Sequence, residues 1–193
     1  MLTEQTYARL ISAIYDAALE FERWPVALEL LTEILSATGG CLIRQNRVTR
    51  EGRMFNVRSD PKFGERYNQY YHKLNILPER AQGQMLATCL TDRMILPKEE
   101  FFRTEFYNDY LRSFKVKGVL KTYVLEEGNW ESYISFGRPS TASSDWEAEH
   151  IDLLRIFAPH LQRAAQSNLR LQTTRLTLGA RPDRHRDRPI VAG

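Results

Sequence analysis

The spacing of apolar side chains predicts most of the helices and strands of this chain. Between residues 100 and 119, aromatic side chains recur every four residues: Phe102, Phe106, Tyr110 and Phe114. This period predicts one amphipathic helix with an almost wholly aromatic inner face. Pro97 suits the first turn of that helix, and Gly118 marks its exit into a strand over residues 119–125.

Further helices and strands are predicted on both sides of this segment. Helical spacing of apolar residues predicts four more helices: residues 4–20, residues 24–38, one from Asp60-Pro61 to Pro78, and one capped by Ser143-Ser144-Asp145. The last is expected to continue through Pro159, because its apolar period resumes after that residue. Two hairpins are predicted: residues 41–46 with 53–58, and residues 118–125 with 130–136. Most of residues 79–96 is predicted to be irregular.

Two of the predicted helices carry an excess of aromatic residues. Seven aromatic residues and one asparagine are the candidate ligand-binding residues: Tyr67, Tyr70, Tyr71, Asn75, Phe102, Phe106, Tyr107 and Tyr110. The phenylalanines alone would be explained as ordinary core. Tyrosines differ, because each buried hydroxyl needs a hydrogen-bond partner. Several of them near Asn75 favour a small pocket with an apolar body and a few polar anchors.

Composition and charge fit a cytoplasmic protein that does not contact nucleic acid by itself. The 193 residues carry a formal net charge of +3. Much of the excess of lysine and arginine lies near the C-terminus, so the main domain lacks the net positive charge that is typical of proteins that bind nucleic acid. No apolar run approaches the length that spans a bilayer, and the N-terminus lacks the features of a secretion signal. Cys41 and Cys89 are expected to be buried free thiols rather than a disulfide or a redox pair.

Residues that could support catalysis or hold a metal ion are scarce. The chain contains no CxxC, HExxH, GxSxG, GxGxxG or Walker pattern. Its four histidines share no metal-ligand spacing with either cysteine. The acidic pairs Glu99-Glu100 and Glu126-Glu127 suit a helix start and a turn. We therefore expect no enzyme activity, no metal ion and no cofactor.

Residues 103–111, RTEFYNDYL, are followed by a basic loop and a strand that begins with glycine. This segment resembles the N-terminal sensor half of LuxR-type bacterial transcription regulators. Weaker matches occur in the expected order: residues 22–25, residues 70–75 and residues 157–161. Together the matches cover about residues 10–171, so the resemblance is to a whole domain.

The resemblance implies an α+β fold, GAF- or PAS-like, in which a central antiparallel sheet is sandwiched between helices. Related sensor domains bind small signals such as acyl-homoserine lactones between sheet and helices, and an Asp in an Asp-Pro pair anchors the polar head of the signal. Asn75-Ile76 stands at the corresponding place here. The charge of that anchor is therefore lost, although an amide still donates and accepts hydrogen bonds. A pocket for an unnamed small molecule is predicted.

The sensor domain is expected to span residues 1–172, followed by a basic, disordered tail over residues 173–193. LuxR-type regulators read DNA with a C-terminal helix-turn-helix, for which the residues after Leu171 are too few. The chain is therefore predicted to be a small-molecule-sensing domain without a DNA-binding half, and to form a homodimer or a heterodimer with a related regulator. One alternative is a pocketless interaction module that forms mixed dimers with a full-length regulator. Another is a truncated relic with a frameshifted tail.

Overall fold

A computed structural model describes residues 2–81, 83 and 85–179, except for the side chains of 175–179. The helices are α1 (Glu4–Leu19), α2 (Trp24–Ile34), α3 (Pro61–Gln69), α4 (Leu77–Arg80), α5 (Asp92–Ile95), α6 (Lys98–Phe101), a π-helix (Phe106–Leu111) and α7 (Ala148–Gly179). The strands are β1 (Gly40–Asn46), β2 (Gly52–Val57), β3 (Cys89–Thr91), β4 (Val116–Glu127) and β5 (Trp130–Pro139). Within the described part of the chain, no helix combines the length and the apolar character that crossing a lipid bilayer requires.

The five strands form one antiparallel sheet in the order β2-β1-β5-β4-β3. Both predicted hairpins are confirmed, as β1 with β2 and β4 with β5. The sequence analysis missed β3, because this edge strand has only three residues and lies within the segment predicted to be irregular. The predicted α+β architecture, a central antiparallel sheet between layers of helices, is confirmed.

One face of the sheet is covered by α1, α2 and α7 and forms an apolar core. The sheet contributes Leu42, Leu120, Ile134 and Phe136, and the helices contribute Leu10, Ile14, Trp24, Leu28, Leu31, Leu154 and Phe157. Removing these side chains from water is the main stabilising contribution on this side. As the apolar period predicts, α7 continues through Pro159.

The start of α7 differs from the prediction. The helix begins at Ala148, after the predicted Ser143-Ser144-Asp145 cap. Instead of capping, a carboxylate oxygen of Asp145 lies 2.7 Å from a guanidinium nitrogen of Arg93, and the other lies 3.6 Å from Nζ of Lys117. The helix then extends to Gly179, past the predicted end of the sensor domain at residue 172. The part of the predicted disordered tail from residue 180 onward lies outside the described residues.

The prediction of a single helix over residues 100–119 is wrong. The chain instead forms α6, a turn, the π-helix and a 3-10 helix over Arg112–Phe114, after which β4 begins. Thr104 interrupts the helix, because its hydroxyl donates to the carbonyl oxygen of Phe101 (2.7 Å) and accepts from the N–H of Tyr107 (3.1 Å). Phe101, which the four-residue period leaves out, is fully buried as a result.

The helix predicted from Asp60-Pro61 to Pro78 is also divided. After α3, a 3-10 helix spans Tyr71–Lys73, and Pro78 lies in the first turn of α4, where proline is favoured. Tyr70, between the first two helices, has φ −143°, which lies outside the helical region. The break in the helix at this residue separates the two neighbouring tyrosines, so that Tyr71 is buried whereas Tyr70 is 48% exposed.

Both cysteines are free and buried, as predicted. Burial raises the pKa of the Cys41 thiol to about 12 and that of Cys89 to about 11. Because the thiolate is the reactive form of cysteine, neither side chain is a nucleophile near neutral pH.

Gly40 of β1 lies close to Thr32 of α2, and we expect Gly40→Ala to destabilise the domain. A Cβ at this position would lie 2.6 Å from the Thr32 hydroxyl and 3.0 Å from the ring of Phe136. Overpacking of this kind lowers the free energy of unfolding by about 1–3 kcal/mol. Urea denaturation of the variant and the wild type measures this loss. Gly52→Ala is the matched control, because its Cβ would meet no atom closer than 3.4 Å. Equal stability of the two variants would contradict this packing.

Candidate functional site

The second face of the sheet is polar although it is buried. Six side chains on β1, β4 and β5 define this polar face: Gln45, Lys121, Tyr123, Glu131, Tyr133 and Ser135. They lie together because alternate residues of a strand share a face, and the register places Lys121, Ser135 and Cys41 in one row across three strands. A face of this composition is stable only if its polar atoms find partners.

A closed hydrogen-bond network occupies the centre of the polar face. The hydroxyl oxygens of Tyr67 and Tyr133 lie 3.2 Å apart, and both hydroxyls lie within 3.3 Å of Oε1 of Gln45. The amide nitrogen of Asn75 donates to both hydroxyls, at 3.2 and 3.3 Å. Nε2 of Gln45 donates to the carbonyl oxygen of His72. Burial raises the pKa of Tyr67 to about 12, so the network stays neutral at physiological pH.

Two ionisable groups lie beside this network. Nζ of Lys121 donates to the Tyr123 hydroxyl at 2.8 Å and lies 5.0 Å from the ring centre of Tyr133. Burial lowers the pKa of Lys121 to about 7, and the charge of Glu131 opposes this shift. Burial raises the pKa of Glu131, whose Oε1 has no hydrogen-bond partner among the described residues. The polar face therefore contains both a donor that is easily neutralised and an acceptor oxygen that is unused.

An aromatic layer lies over the polar face. We call this layer the aromatic cover and define it as α3, Tyr71–Lys73, α6 and the π-helix. Tyr110 is its centre: the ring centres of Phe63 and Tyr71 lie 4.7 Å away in stacked geometry, and Phe106 lies 5.4 Å away. The Tyr110 hydroxyl donates to the carbonyl oxygen of Phe63 at 2.8 Å. Stacked contacts of this kind join the separate helical segments into one layer.

A central cavity of about 30 Å³ separates the aromatic cover from the polar face. Its walls combine apolar and polar side chains, which include Ile43, Tyr67, Asn75, Leu77, Phe106, Tyr110, Lys121, Tyr133 and Ser135. Its volume corresponds to about one water molecule, so a larger molecule enters only if the cover moves. The cavity thus has the mixed lining of a small-molecule site at a small fraction of the usual volume.

The structure brings together half of the candidate residues. Those that line the central cavity are Tyr67, Asn75, Phe106 and Tyr110. Tyr71 is buried but points elsewhere, since its hydroxyl accepts from a guanidinium nitrogen of Arg66 at 3.0 Å. Tyr70 is half exposed against the edge of the Tyr71 ring. Phe102 and Tyr107 stack on each other at 4.3 Å, away from the cavity. These last four support the cover rather than line the cavity.

The sequence analysis missed the sheet side of the site. Lys121, Tyr133 and Ser135 line the central cavity, and Gln45 joins the two tyrosine hydroxyls, yet none was a candidate. The available signal was the polar residues inside β4 and β5, strands that the flanking helices bury on both faces. A lysine in the middle of such a strand is seldom buried without a specific partner.

One group of possible metal ligands lies at the start of α7, outside the polar face. Ligand atoms of Glu147, Glu149 and His150 all lie within 4.8 Å of one another. Both ring nitrogens of His150 already have contacts, at 3.3 Å from the guanidinium of Arg138 and 3.3 Å from the N–H of Glu147. Since the two carboxylates are exposed, we assign no metal site to this group.

Solved structures of LuxR-type regulators share this fold. The ligand-binding domain of VqsR from Pseudomonas aeruginosa superposes with a TM-score of 0.68 at 16% identity, covering 85% of this chain and 96% of that one. CepR2 from Burkholderia cenocepacia, described as an N-acylhomoserine lactone-dependent LuxR family transcription factor, gives 0.56 at 14% identity, with 86% and 96% covered. Residues 1–171 of Escherichia coli SdiA give 0.56 at 13% identity, with 86% and 94% covered.

These similarities are structural. No protein-family model and no curated protein sequence matches the chain. In a crystal structure of E. coli SdiA the match covers 61% of that chain, at a TM-score of 0.51 and 15% identity. The chain therefore has the fold of the LuxR-type ligand-binding domains, and the predicted resemblance to the sensor half of these regulators is confirmed.

Proposed function

We propose that this chain is a small-molecule-sensing regulatory domain whose ligand binds between the polar face and the aromatic cover. The observation that carries the proposal is the convergence of Tyr67, Asn75, Lys121 and Tyr133 on one buried cavity whose other walls, apart from Ser135, are apolar. Burying these groups costs free energy unless they are paired, and a purely structural core is as stable or more so with apolar residues of similar shape. Their presence favours recognition of a ligand with both polar and apolar parts.

The construction of the aromatic cover supports this proposal. The six-residue π-helix contributes Phe106, Tyr110 and Leu111 to the cavity wall, and its neighbours in the chain are four-residue α6 and the 3-10 helix Arg112–Phe114. Short segments of this kind open at lower free energy than long packed helices, and π-helical turns are frequent at functional sites. Movement of the π-helix would displace Phe106 and Tyr110, which form the wall opposite Tyr133 and Lys121.

The structural neighbours add support for the class of ligand. CepR2 is described as N-acylhomoserine lactone-dependent, and SdiA has been solved in complex with octanoyl-rac-glycerol. Both molecules join an apolar chain to a polar head. For this chain, the head would meet the amide of Asn75 and the hydroxyl of Tyr133. Lys121 would donate to an acceptor atom of the head.

A second candidate function is the pocketless interaction module, which acts by forming mixed dimers with a related regulator. The observation that favours it is the closed state of the cavity, which holds about 30 Å³. The four side chains of the network also satisfy one another without any ligand. In this case the polar network would only fix the packing of the aromatic cover on the sheet.

Thermal unfolding with two probes tests the sensor proposal. Octanoyl-rac-glycerol and N-octanoyl-homoserine lactone carry the same chain with different heads. A probe present at a hundredfold its Kd would add about 2.7 kcal/mol to the stability of the wild type. The double variant Asn75→Leu/Tyr133→Phe should lose that stabilisation, because both polar anchors are removed. Tyr71→Phe should keep it, because the Tyr71 hydroxyl contacts Arg66 outside the cavity.

The outcome separates the two candidates. If neither probe raises the melting temperature of the wild type while the double variant is at least as stable as the wild type, the interaction module is supported. A probe that stabilises the wild type and the double variant equally would show that it binds elsewhere, and would contradict the proposed site.

A further inference from the structure

A second, larger groove lies on the opposite face of the sheet from the central cavity. This outer groove has a volume of about 540 Å³, within the range of small-molecule sites. It opens where α7 and the segment between α1 and α2 leave the end of the sheet uncovered. Its apolar walls include Phe21, Trp24, Leu42, Phe55, Leu125 and Leu169. Phe21 is 42% exposed and Phe55 is 38% exposed, so two aromatic rings in the groove face solvent.

The floor of the outer groove has an unusual charge arrangement. Arg53 of β2 lies directly opposite Arg44 of β1, followed across the sheet by Ser132 and Leu125. Like charges in directly opposed positions destabilise a sheet. Arg44 is partly neutralised, since its guanidinium lies 3.2 Å from a carboxylate oxygen of Glu127. The side chain of Arg53 has no ion-pair or hydrogen-bond partner among the residues that the structure describes.

The described residues of the groove supply no negative charge to offset this pair. None of those that line it is acidic, and their remaining polar groups are neutral amides and one hydroxyl: Asn68, Asn168, Gln172 and Ser132. Asn168 is occupied, because it donates to the carbonyl oxygen of Ala17 and accepts from Gln172. An anionic group placed beside Arg53 would attract both guanidinium groups and so offset the repulsion between the two arginines.

We propose that the outer groove binds an amphipathic carboxylate, with the carboxylate paired to Arg53 and Arg44 and the hydrocarbon part lying along Trp24, Phe55 and Leu169. The apolar walls favour burial of a hydrocarbon chain, and the two guanidinium groups fix its direction. This site differs from the central cavity, because Met54 is the one described residue that lines both. The proposed ligand of the outer groove carries a negative charge, whereas the proposed ligand of the central cavity needs none.

Calorimetric titration with dodecanoate, below its micelle concentration, tests the proposal. Arg53→Gln removes the unpaired charge at an exposed position and should weaken dodecanoate binding about tenfold. Ala165→Trp places a large ring in the groove and should abolish binding. Arg9→Gln, an exposed arginine on α1, is the matched control and should bind as the wild type does. Dodecan-1-ol, which lacks the charge, should bind about tenfold more weakly than dodecanoate.

Several results would overturn the proposal. Failure of dodecanoate to bind the wild type would contradict it, as would equal binding of dodecanoate to Arg53→Gln and to the wild type. Equal binding of dodecan-1-ol and dodecanoate would remove the role of the arginine pair. If Ala165→Trp instead converts a dimer into a monomer and dodecanoate does not bind, the groove is a contact surface for a second copy of the chain. Thermal unfolding shows whether Arg53→Gln is folded. A folded Arg53→Gln tests the proposal even if Ala165→Trp is unstable.

Discussion

Tyr110→Ala should lower the free energy of unfolding by about 3–5 kcal/mol, the range found for large aromatic side chains in packed cores. Tyr110 is fully buried, stacks on Phe63 and Tyr71, and donates a hydrogen bond to the Phe63 carbonyl. The substitution therefore leaves a cavity and also leaves that carbonyl without its partner. Urea denaturation monitored by circular dichroism measures the loss.

Tyr70→Ala is the control for this prediction. Tyr70 is also a tyrosine of the aromatic cover region, but it is 48% exposed and lies outside the stack around Tyr110. Its loss should change stability by less than about 0.5–1 kcal/mol. If Tyr110→Ala were as mild as Tyr70→Ala, the aromatic cover could not be a packed layer centred on Tyr110.

Lys121→Met should stabilise the protein at pH 7, and the advantage should decrease as the pH rises. Burial lowers the pKa of Lys121 to about 7, whereas in the unfolded chain this amine has its ordinary pKa near 10.4. Between these two values the unfolded state binds more protons than the folded state. The wild type therefore gains stability with rising pH, by up to about 1.4 kcal/mol per unit for this group. A methionine has no proton to lose, so its advantage is largest at or below pH 7.

The comparison of wild type with Lys121→Met isolates this lysine from other titrating groups. Buried tyrosines and cysteines destabilise both proteins at high pH, so the difference between the two unfolding free energies is measured from pH 6 to pH 9. Lys62→Met removes an exposed lysine of α3 and is the matched control. If the difference for Lys121→Met changes with pH no more than that for Lys62→Met, the Lys121 amine is as well solvated as an exposed one.

The sequence predicts the sheet and the apolar helices well because their signals are local. The hairpins β1-β2 and β4-β5 are bounded by turn residues, and α1 and α7 show sustained helical periods. Periodicity fails around Thr104 and Tyr70, where side-chain hydrogen bonds and tertiary packing interrupt a regular aromatic pattern. The period of four at residues 102–114 identifies aromatic residues that pack together, although they do not form one helix.

The candidate site is predictable only in part, for a physical reason. Tyrosines near an asparagine indicate that buried hydroxyls need partners, and this reasoning finds Tyr67 and Asn75. The partners themselves, Gln45 and Tyr133, lie on strands that are 22 and 66 residues from Tyr67 in sequence. The pairing register alone brings them together, and no local pattern encodes it. The burial of Lys121 is likewise not encoded locally. It can be predicted only once β4 is known to be covered by helices on both faces.

The sensor proposal requires that the aromatic cover opens while the rest of the domain stays folded. Native-state hydrogen exchange measures this directly, by comparing the backbone amides of Tyr110 and Leu111 with those of Leu154 and Phe157 in α7. We predict that the cover amides exchange through an opening that costs at least about 2 kcal/mol less than global unfolding, whereas the α7 amides exchange only through global unfolding. If the amides of Tyr110 and Leu111 also exchange only through global unfolding, the cover does not open on its own, and the protein is an interaction module with a closed core.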